Sequence, residues 1–254
     1  KLEFFKEACS KFHPAFRFFF LEKFGTPSAW FTSRQAYTRS VACTSIIGYI
    51  LGIGDRHSQN ILIDVITAEV VHIDFGIVFE QGKVLGIPET VPCRLTRDMI
   101  DGMGVTGCRG VFMRCCAEVL RVLRAHSLQL LTILEVVIYD PLYKWSLSPQ
   151  AKSRQTAEAG AEGYQPQAPV GGKRSRAAAA KAPEPLPVET EDGDSSFDRD
   201  AAERTIMRIR NKLQGLEDSA SDAFSIEGQI EYIVNEAQDL THLSKIFCGW
   251  APWL

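Results

Sequence analysis

Between residues 150 and 196 the composition changes abruptly, and that break limits what the rest of the chain can fold into. Ala, Gly, Pro, Gln and charged residues dominate there, and large apolar side chains are nearly absent. Such a stretch buries too little surface to offset its ordering entropy, so it reads as a disordered linker. A core must then come from residues 1–149, joined by whatever helical pieces follow residue 197. The 254 residues suffice for one sizeable domain. A formal charge of −3 gives no support to a strongly basic nucleic-acid-binding surface. The longest apolar run, residues 45–53, is too short to span a bilayer. Seven cysteines, none at C-x-x-C spacing, read as small buried hydrophobes in a reducing compartment. The chain opens on Lys1 rather than Met, as expected of a piece of a longer protein.

Within residues 1–149 an aromatic-rich opening (Phe4, Phe5, Phe12, Phe16, Phe18, Phe19, Phe20, Phe24) reads as core or covered surface. The spacing predicts a helix over 33–50 that buries Tyr37, Val41, Ile46, Ile47 and Ile50 and turns Arg34 and Arg39 to solvent. Two β-type runs, Ile61-Leu62-Ile63 and Val70-Val71-His72-Ile73, form a hairpin across a polar connection. Helical patterns resume over 96–103, 109–125 and 128–138. In the second of these Val111, Phe112, Cys115, Cys116, Val119, Val122 and Leu123 recur at helical spacing. The third stops at Asp140-Pro141, because the residue before proline disfavours helix. After the linker, a charged helix over 198–214 leads to a second over 225–237 with Ile226, Ile230, Ile233, Val234 and Ala237 on one side. The fold class is therefore mainly α with a small β-hairpin.

The chemistry lies between Gly54 and Gly76. The chain reads Gly54-Asp55-Arg56-His57-Ser58-Gln59-Asn60 and, fourteen residues after Asn60, Asp74-Phe75-Gly76. Protein kinases place a hydroxyl-orienting Asp five residues before a metal-binding Asn, then an Asp-Phe-Gly metal ligand shortly after. Phosphoryl transfer needs a carboxylate beside the attacking hydroxyl and hard oxygen ligands for the cation. It also needs positive charge where the transition state becomes negative. A hairpin holds Asn60 and Asp74 on neighbouring strand ends, so both can face one metal cluster. For Arg56, structural pairing and catalysis remain equally open, and His72 reads as structural.

In this chain the His follows the Asp, whereas ordinary protein kinases run His-Arg-Asp. Gly-Asp-Arg-His-x-x-Asn resembles the catalytic loop of the phosphatidylinositol 3-kinase superfamily, which includes lipid kinases and large related protein kinases. Phe79-Glu80-Gln81-Gly82-Lys83, Pro88-Glu89-Thr90-Val91-Pro92 and Arg94-Leu95-Thr96-Arg97-Asp98 resemble the ATM branch of those protein kinases. So do the stretch Asp101 to Gly107 and Tyr139-Asp140-Pro141-Leu142. The segment 222–254 resembles their terminal FATC tail. Cys93, where an aromatic usually follows the proline, and Met113, where Arg is usual, depart from the pattern without removing a catalytic group.

The resemblance implies four parts. Residues 1–149 are the C-terminal lobe of a PI3/PI4-kinase-like catalytic domain, 150–196 the linker, 197–221 a regulatory helix and 222–254 the FATC-like tail. It implies Asp55 as catalytic base, His57 as partner to the transferring phosphoryl group, and Asn60 and Asp74 as ligands of Mg²⁺ (or Mn²⁺) with ATP. It further implies a nuclear kinase, homodimeric at full length, that phosphorylates protein hydroxyls followed by Gln. That kinase acts with DNA-damage sensor proteins in double-strand-break signalling and telomere maintenance, with no membrane or direct nucleic-acid contact in this region.

No glycine-rich loop or strand Lys precedes Asp55, so these residues alone are expected to bind ATP weakly and not to turn over. A non-catalytic interaction module and a phosphoinositide kinase are the rival readings. A phosphoinositide headgroup calls for clustered Lys or Arg. Over residues 74–92 there is only Lys83, set against Glu80 and Glu89, which favours a protein substrate. The basic cluster at 173–176 reads as a solvated charge run before a nuclear-import patch. Trp250 and Trp253 are expected to pack on the lobe rather than meet a membrane.

Overall fold

A computed structural model of the chain describes residues 1–139, 194–217 and 222–254. The linker reading and the basic cluster at 173–176 lie outside these residues. The chain forms two compact units, Lys1–Val136 with Thr205–Leu254, and Val137–Arg204. Among the described residues the second unit holds only the end of one helix and the beginning of another. The first carries both the lobe and the tail.

The central element is α3 (Pro27–Leu51), which follows α1 (Leu2–Lys11) and α2 (Arg17–Lys23). Thr26 caps α3 by accepting the Ala29 N–H through its hydroxyl, and Pro27 opens the first turn. That cap starts the helix six residues before the apolar periodicity becomes regular at Ser33. It ends at Gly52 with φ +61°, where a Cβ would lie 2.5 Å from the Glu80 amide nitrogen, so only glycine fits. Tyr37, Val41, Ile46 and Ile50 are buried as the periodicity requires, with Ala42 beside them, whereas Ile47 is only part-buried. Arg39 reaches solvent; Arg34 instead is half-buried, its guanidinium 4.0 Å above the Trp30 ring.

The aromatic opening divides. Phe20 is fully buried and meets Phe16, Phe19 and Tyr37 with ring centroids 5.2–5.5 Å apart, whereas Phe4 is 77% exposed. Burial of Phe20 contributes about 2–3 kcal/mol. α4 (Arg97–Met103) anchors the start of α2: Asp98 accepts the Ala15 and Phe16 N–H groups, and Asp101 accepts both the amide and the guanidinium of Arg17.

Strands β1 (Ile61–Ile63) and β2 (Val70–His72) pair antiparallel, with Leu62 opposite Val71. The Asp64 carboxylate accepts the Ile66 and Thr67 N–H groups at 2.8 Å, which closes the connecting turn. Ser40 Oγ accepts the Val70 N–H at 2.9 Å and pins the hairpin to α3.

α5 (Val111–Ala125) packs along α3 and is followed by α6 (Ser127–Ile138). The buried stripe of α5 is Phe112, Cys116 and Leu120. Val122, expected on that stripe, is 57% exposed. It stands two residues beyond Leu120, about 200° around the helix, so both cannot face α3.

After the undescribed segment come α7 (Asp194–Gln214), α8 (Ile226–Gln238) and α9 (Leu240–Leu243). α7 begins at Asp194, slightly before the expected end of the linker. α8 packs on α5 and buries Ile230, Ile233, Val234 and Ala237, joined by Gln229. The Gln229 side chain is 0% exposed and fully engaged. Its amide nitrogen donates to the Tyr49 hydroxyl, the Lys212 carbonyl and Glu217, and its oxygen accepts from Arg124 at 2.8 Å. Tyr49 also hydrogen-bonds Glu217.

The last residues dock on α1, α4 and the segment before α4. Phe5, Leu243, Ile246 and Trp250 form a buried cluster, with Cys9, Val91 and Trp253 against it. Arg94 lies 4.5 Å from the Trp250 ring centre and donates to the Trp250 and Ala251 carbonyls. Arg97 donates to the carbonyls of Cys9, Phe12 and Trp253. Trp250 and Trp253 thus pack on the lobe.

Gln229→Leu keeps the volume of α8 but removes one hydrogen bond each from Tyr49, the Lys212 carbonyl, Glu217 and Arg124. Chemical denaturation is expected to show a loss of about 2–4 kcal/mol, and a loss below about 0.5 kcal/mol would overturn the assignment of Gln229 as their common partner.

Candidate active site

The chain leaves Gly52 and turns back under the hairpin through Asp55, whose φ of +54° is unusual for a residue with a Cβ. The Asp55 N–H donates to Glu89 Oε1 at 2.6 Å. Its side chain is 41% exposed and open to a substrate. His57 caps the short 3₁₀ turn Ser58–Asn60, its Nδ1 accepting the Gln59 N–H at 3.2 Å. With Nδ1 an acceptor, the neutral ring carries its proton on Nε2, and that atom lies 3.9 Å from Asp55 Oδ2.

Asn60 is buried beneath this loop. Its side-chain nitrogen donates to the Asp55 carbonyl at 2.9 Å, which leaves the amide oxygen as the group available to a cation. The Asn60 main-chain carbonyl accepts the Ile73 N–H at 3.0 Å and brings the residue next to the end of β2. Asp74 follows at φ +58°, and its Oδ1 accepts the Gly76 N–H at 3.0 Å. Asp55 and His57 are therefore within one contact, and Asn60 is tied to the backbone beside Asp74. Among the described residues no group of three or more His, Cys, Asp or Glu side chains could hold a metal. An amide oxygen and a carboxylate suit a hard cation that takes its other ligands from water and phosphate oxygens, as Mg²⁺ does.

Arg56 holds the two halves together. Its side chain is 4% exposed and donates to three main-chain carbonyls: Gly54 and Ile73 at 2.7 Å, and Asp74. Burial lowers its pKa, while Asp55, Asp74 and Glu89 oppose that shift. Of the two roles open to Arg56 in the sequence, the hydrogen bonds assign the structural one. His72 is half-buried, and burial with the Arg56 charge draws it down to about 4, so the ring is neutral in its strand.

Two acids in the following loop matter more than their sequence context indicated. Glu89 touches the Asp55 amide, as above. Glu80 has φ +64° and binds Lys83 at 2.9 Å and the inward-pointing Lys212 of α7 at 2.6 Å. Lys212 also donates to the Tyr49 carbonyl at 2.7 Å. No local pattern signals either contact, since Glu80 and Lys212 are far apart in the chain.

Kinase C-terminal lobes carry an acid just before a short hairpin and another just after it, and fold and site together assign the chain to that class. Residues 1–147 match the family model described as phosphatidylinositol 3- and 4-kinase, and residues 223–254 match the FATC domain. The chain belongs to the phosphatidylinositol 3- and 4-kinase family. It is 45% identical over 254 residues to the serine-protein kinase ATM of Sus scrofa, covering 100% of this chain. With the serine/threonine-protein kinase ATM of Arabidopsis thaliana identity is 48% over 251 residues, 98% of this chain. The chain spans only 8% and 6% of those two relatives. The solved FAT and kinase domain of CtTel1 superposes with a TM-score of 0.76 at 35% identity, covering 100% of this chain and 14% of that one.

Burial pushes the Glu80 carboxyl up, but Lys212 and Lys83 outweigh it and hold it at about 2. Its contribution to stability is therefore complete above the ordinary glutamate range and is lost as pH falls towards 2. The difference in unfolding free energy between wild type and Glu80→Gln is expected to be constant above about pH 5 and to shrink below about 4.3. A difference that stays flat on acidification would overturn the assignment.

Proposed function

We propose that the protein containing this chain is an ATP-dependent serine/threonine protein kinase of the ATM type. Asp55 accepts the proton of the substrate hydroxyl as its oxygen attacks the γ-phosphorus of ATP and the bond to the ADP oxygen breaks. His57, with its Nε2–H beside Asp55, donates towards the oxygens of the transferring group. Arg56, buried against three main-chain carbonyls, keeps the loop and the Asp-Phe-Gly segment in register. Mg²⁺, when bound through Asn60 and Asp74, neutralises charge on the phosphates.

The observation that favours protein over phosphoinositide is the state of the basic groups around the substrate loop. Lys83, the single base of residues 74–92, is paired with Glu80. Arg94 and Arg97, which follow, donate to main-chain carbonyls of the tail. A multiply charged headgroup finds no uncommitted cluster there. From the family resemblance the proposal extends to Ser/Thr-Gln sites, to double-strand-break signalling and telomere maintenance with DNA-damage sensor proteins, and to a nuclear location. A homodimer is proposed likewise; the related CtTel1 has been solved as a dimer with C2 symmetry.

The full-length protein is offered radiolabelled ATP with a Ser-Gln peptide, a Ser-Ala control and phosphatidylinositol vesicles. Labelling of the Ser-Gln peptide alone is expected, reduced at least about a hundredfold in Asp55→Ala. Labelled lipid would overturn the substrate class, and no labelling would favour an interaction module.

Thr90 Oγ1 donates to the His242 carbonyl at 3.0 Å, and Val91 sits on the tail cluster, so the substrate loop leans on the tail. Deleting residues 240–254 from the full-length enzyme is expected to abolish peptide labelling, and retained activity would sink that dependence.

A further inference from the structure

Asp55 stands in the left-handed region at φ +54°, which is strained for a residue with a side chain and persists only where its surroundings enforce it. Asn60 donates to its carbonyl, and its N–H is held by Glu89, thirty-four residues on, whose Oε1 accepts it at 2.6 Å. We propose that Glu89 is the positioning residue that fixes the Asp55 backbone, and with it the aim of the base. The proposal rests on the reading of Asp55 as that base.

The chain makes room for this carboxylate on two sides. A Cβ on Gly82 would lie 2.5 Å from Glu89 Oε2, and a Cβ on Gly54 would lie 2.8 Å from the same oxygen. Both glycines flank the slot in which the second oxygen rests while the first meets Asp55. Glu89 is itself fixed from behind: its N–H donates to the Gly82 carbonyl at 3.0 Å, and its neighbour Thr90 bonds the tail at His242. Two consecutive residues therefore join the docked tail to the catalytic loop.

On balance the Glu89 carboxyl is pushed above its ordinary range, chiefly by burial. Burial and the Asp55 charge raise the Glu89 pKa, whereas the Asp55 N–H and Arg56 act to keep it ionised. The hydrogen bond from the Asp55 N–H to the Glu89 side-chain oxygen is lost if Asp55 leaves this conformation, so it opposes that departure. Removing it leaves Asp55 present but free to leave the left-handed region, which lowers the fraction of enzyme with the base correctly aimed.

The test measures peptide phosphorylation by the full-length kinase. Glu89→Ala is expected to lower kcat about ten- to a hundredfold with the KM for ATP within about twofold of wild type. Glu89→Gln, whose amide oxygen can still accept from Asp55, is expected to recover most of kcat. Gly82→Ala, with Glu89 intact, is expected to lower kcat by displacing the carboxylate. The double variant Gly82→Ala/Glu89→Ala is expected to be no worse than Glu89→Ala, because the new methyl then has nothing to displace. Wild-type kcat in Glu89→Ala, a Gln variant as impaired as the Ala variant, or losses that add in the double variant would each overturn the proposal. Should Glu89→Ala fail to fold, an unchanged kcat in Gly82→Ala would overturn it alone. Inactive wild type, or full activity in Asp55→Ala, would overturn the kinase reading instead.

Discussion

The site depends on one buried guanidinium. Arg56 reaches the carbonyls of Gly54, Ile73 and Asp74, and so connects the loop that carries Asp55 to the segment that carries Asp74. Three acceptors from two segments separated by the hairpin suit a planar fork; a lysine ammonium, a point charge on a flexible stem, cannot span them in the same way. Its charge is balanced by the acids around it, since Asp55, Asp74 and Glu89 all oppose the shift that burial imposes. Position and electrostatics are thus set by the same side chain.

Around that centre, lobe and tail share one interior. α3 supplies the axis, α5 lies along it, and α8 packs on α5 and reaches Tyr49 of α3 through Gln229. The joint is polar where an apolar one would be expected: Gln229 links Tyr49, Lys212, Glu217 and Arg124 at a fully buried position. A network of this kind is stabilising only while every member is satisfied, which favours a single register of α7 and α8 on the lobe. The apolar cluster of Phe5, Leu243, Ile246 and Trp250 then fixes the far end of the tail.

Much of this was legible in the sequence. The 3.6-residue period of α3 and α8, the two β runs and the spacing of Asp55, Asn60 and Asp74 each report local geometry, and the structure has the elements where those patterns lie. What escaped was non-local. A Glu89 that bonds Asp55, or a Glu80 that bonds Lys212, reads from its neighbours as an ordinary loop acid. Gln229 was not among the residues expected on the apolar side of α8, and its partners come from three other segments. Val122 was misplaced for a different reason: ten apolar residues over 111–123 span more of the helix surface than α3 covers, and periodicity alone does not say which edge stays outside.

The tail is gripped largely by its main chain. Arg94 and Arg97 take the carbonyls of Trp250, Ala251 and Trp253, groups that every amino acid supplies. Recognition of that sort reads chain path and length more than chemical identity. The side chains of Trp250 and Trp253 pack on the lobe as well, so the two arginines add a reading of the backbone course to an apolar anchor. A single inserted or deleted residue between Trp250 and Trp253 would slip both arginines off their acceptors at once.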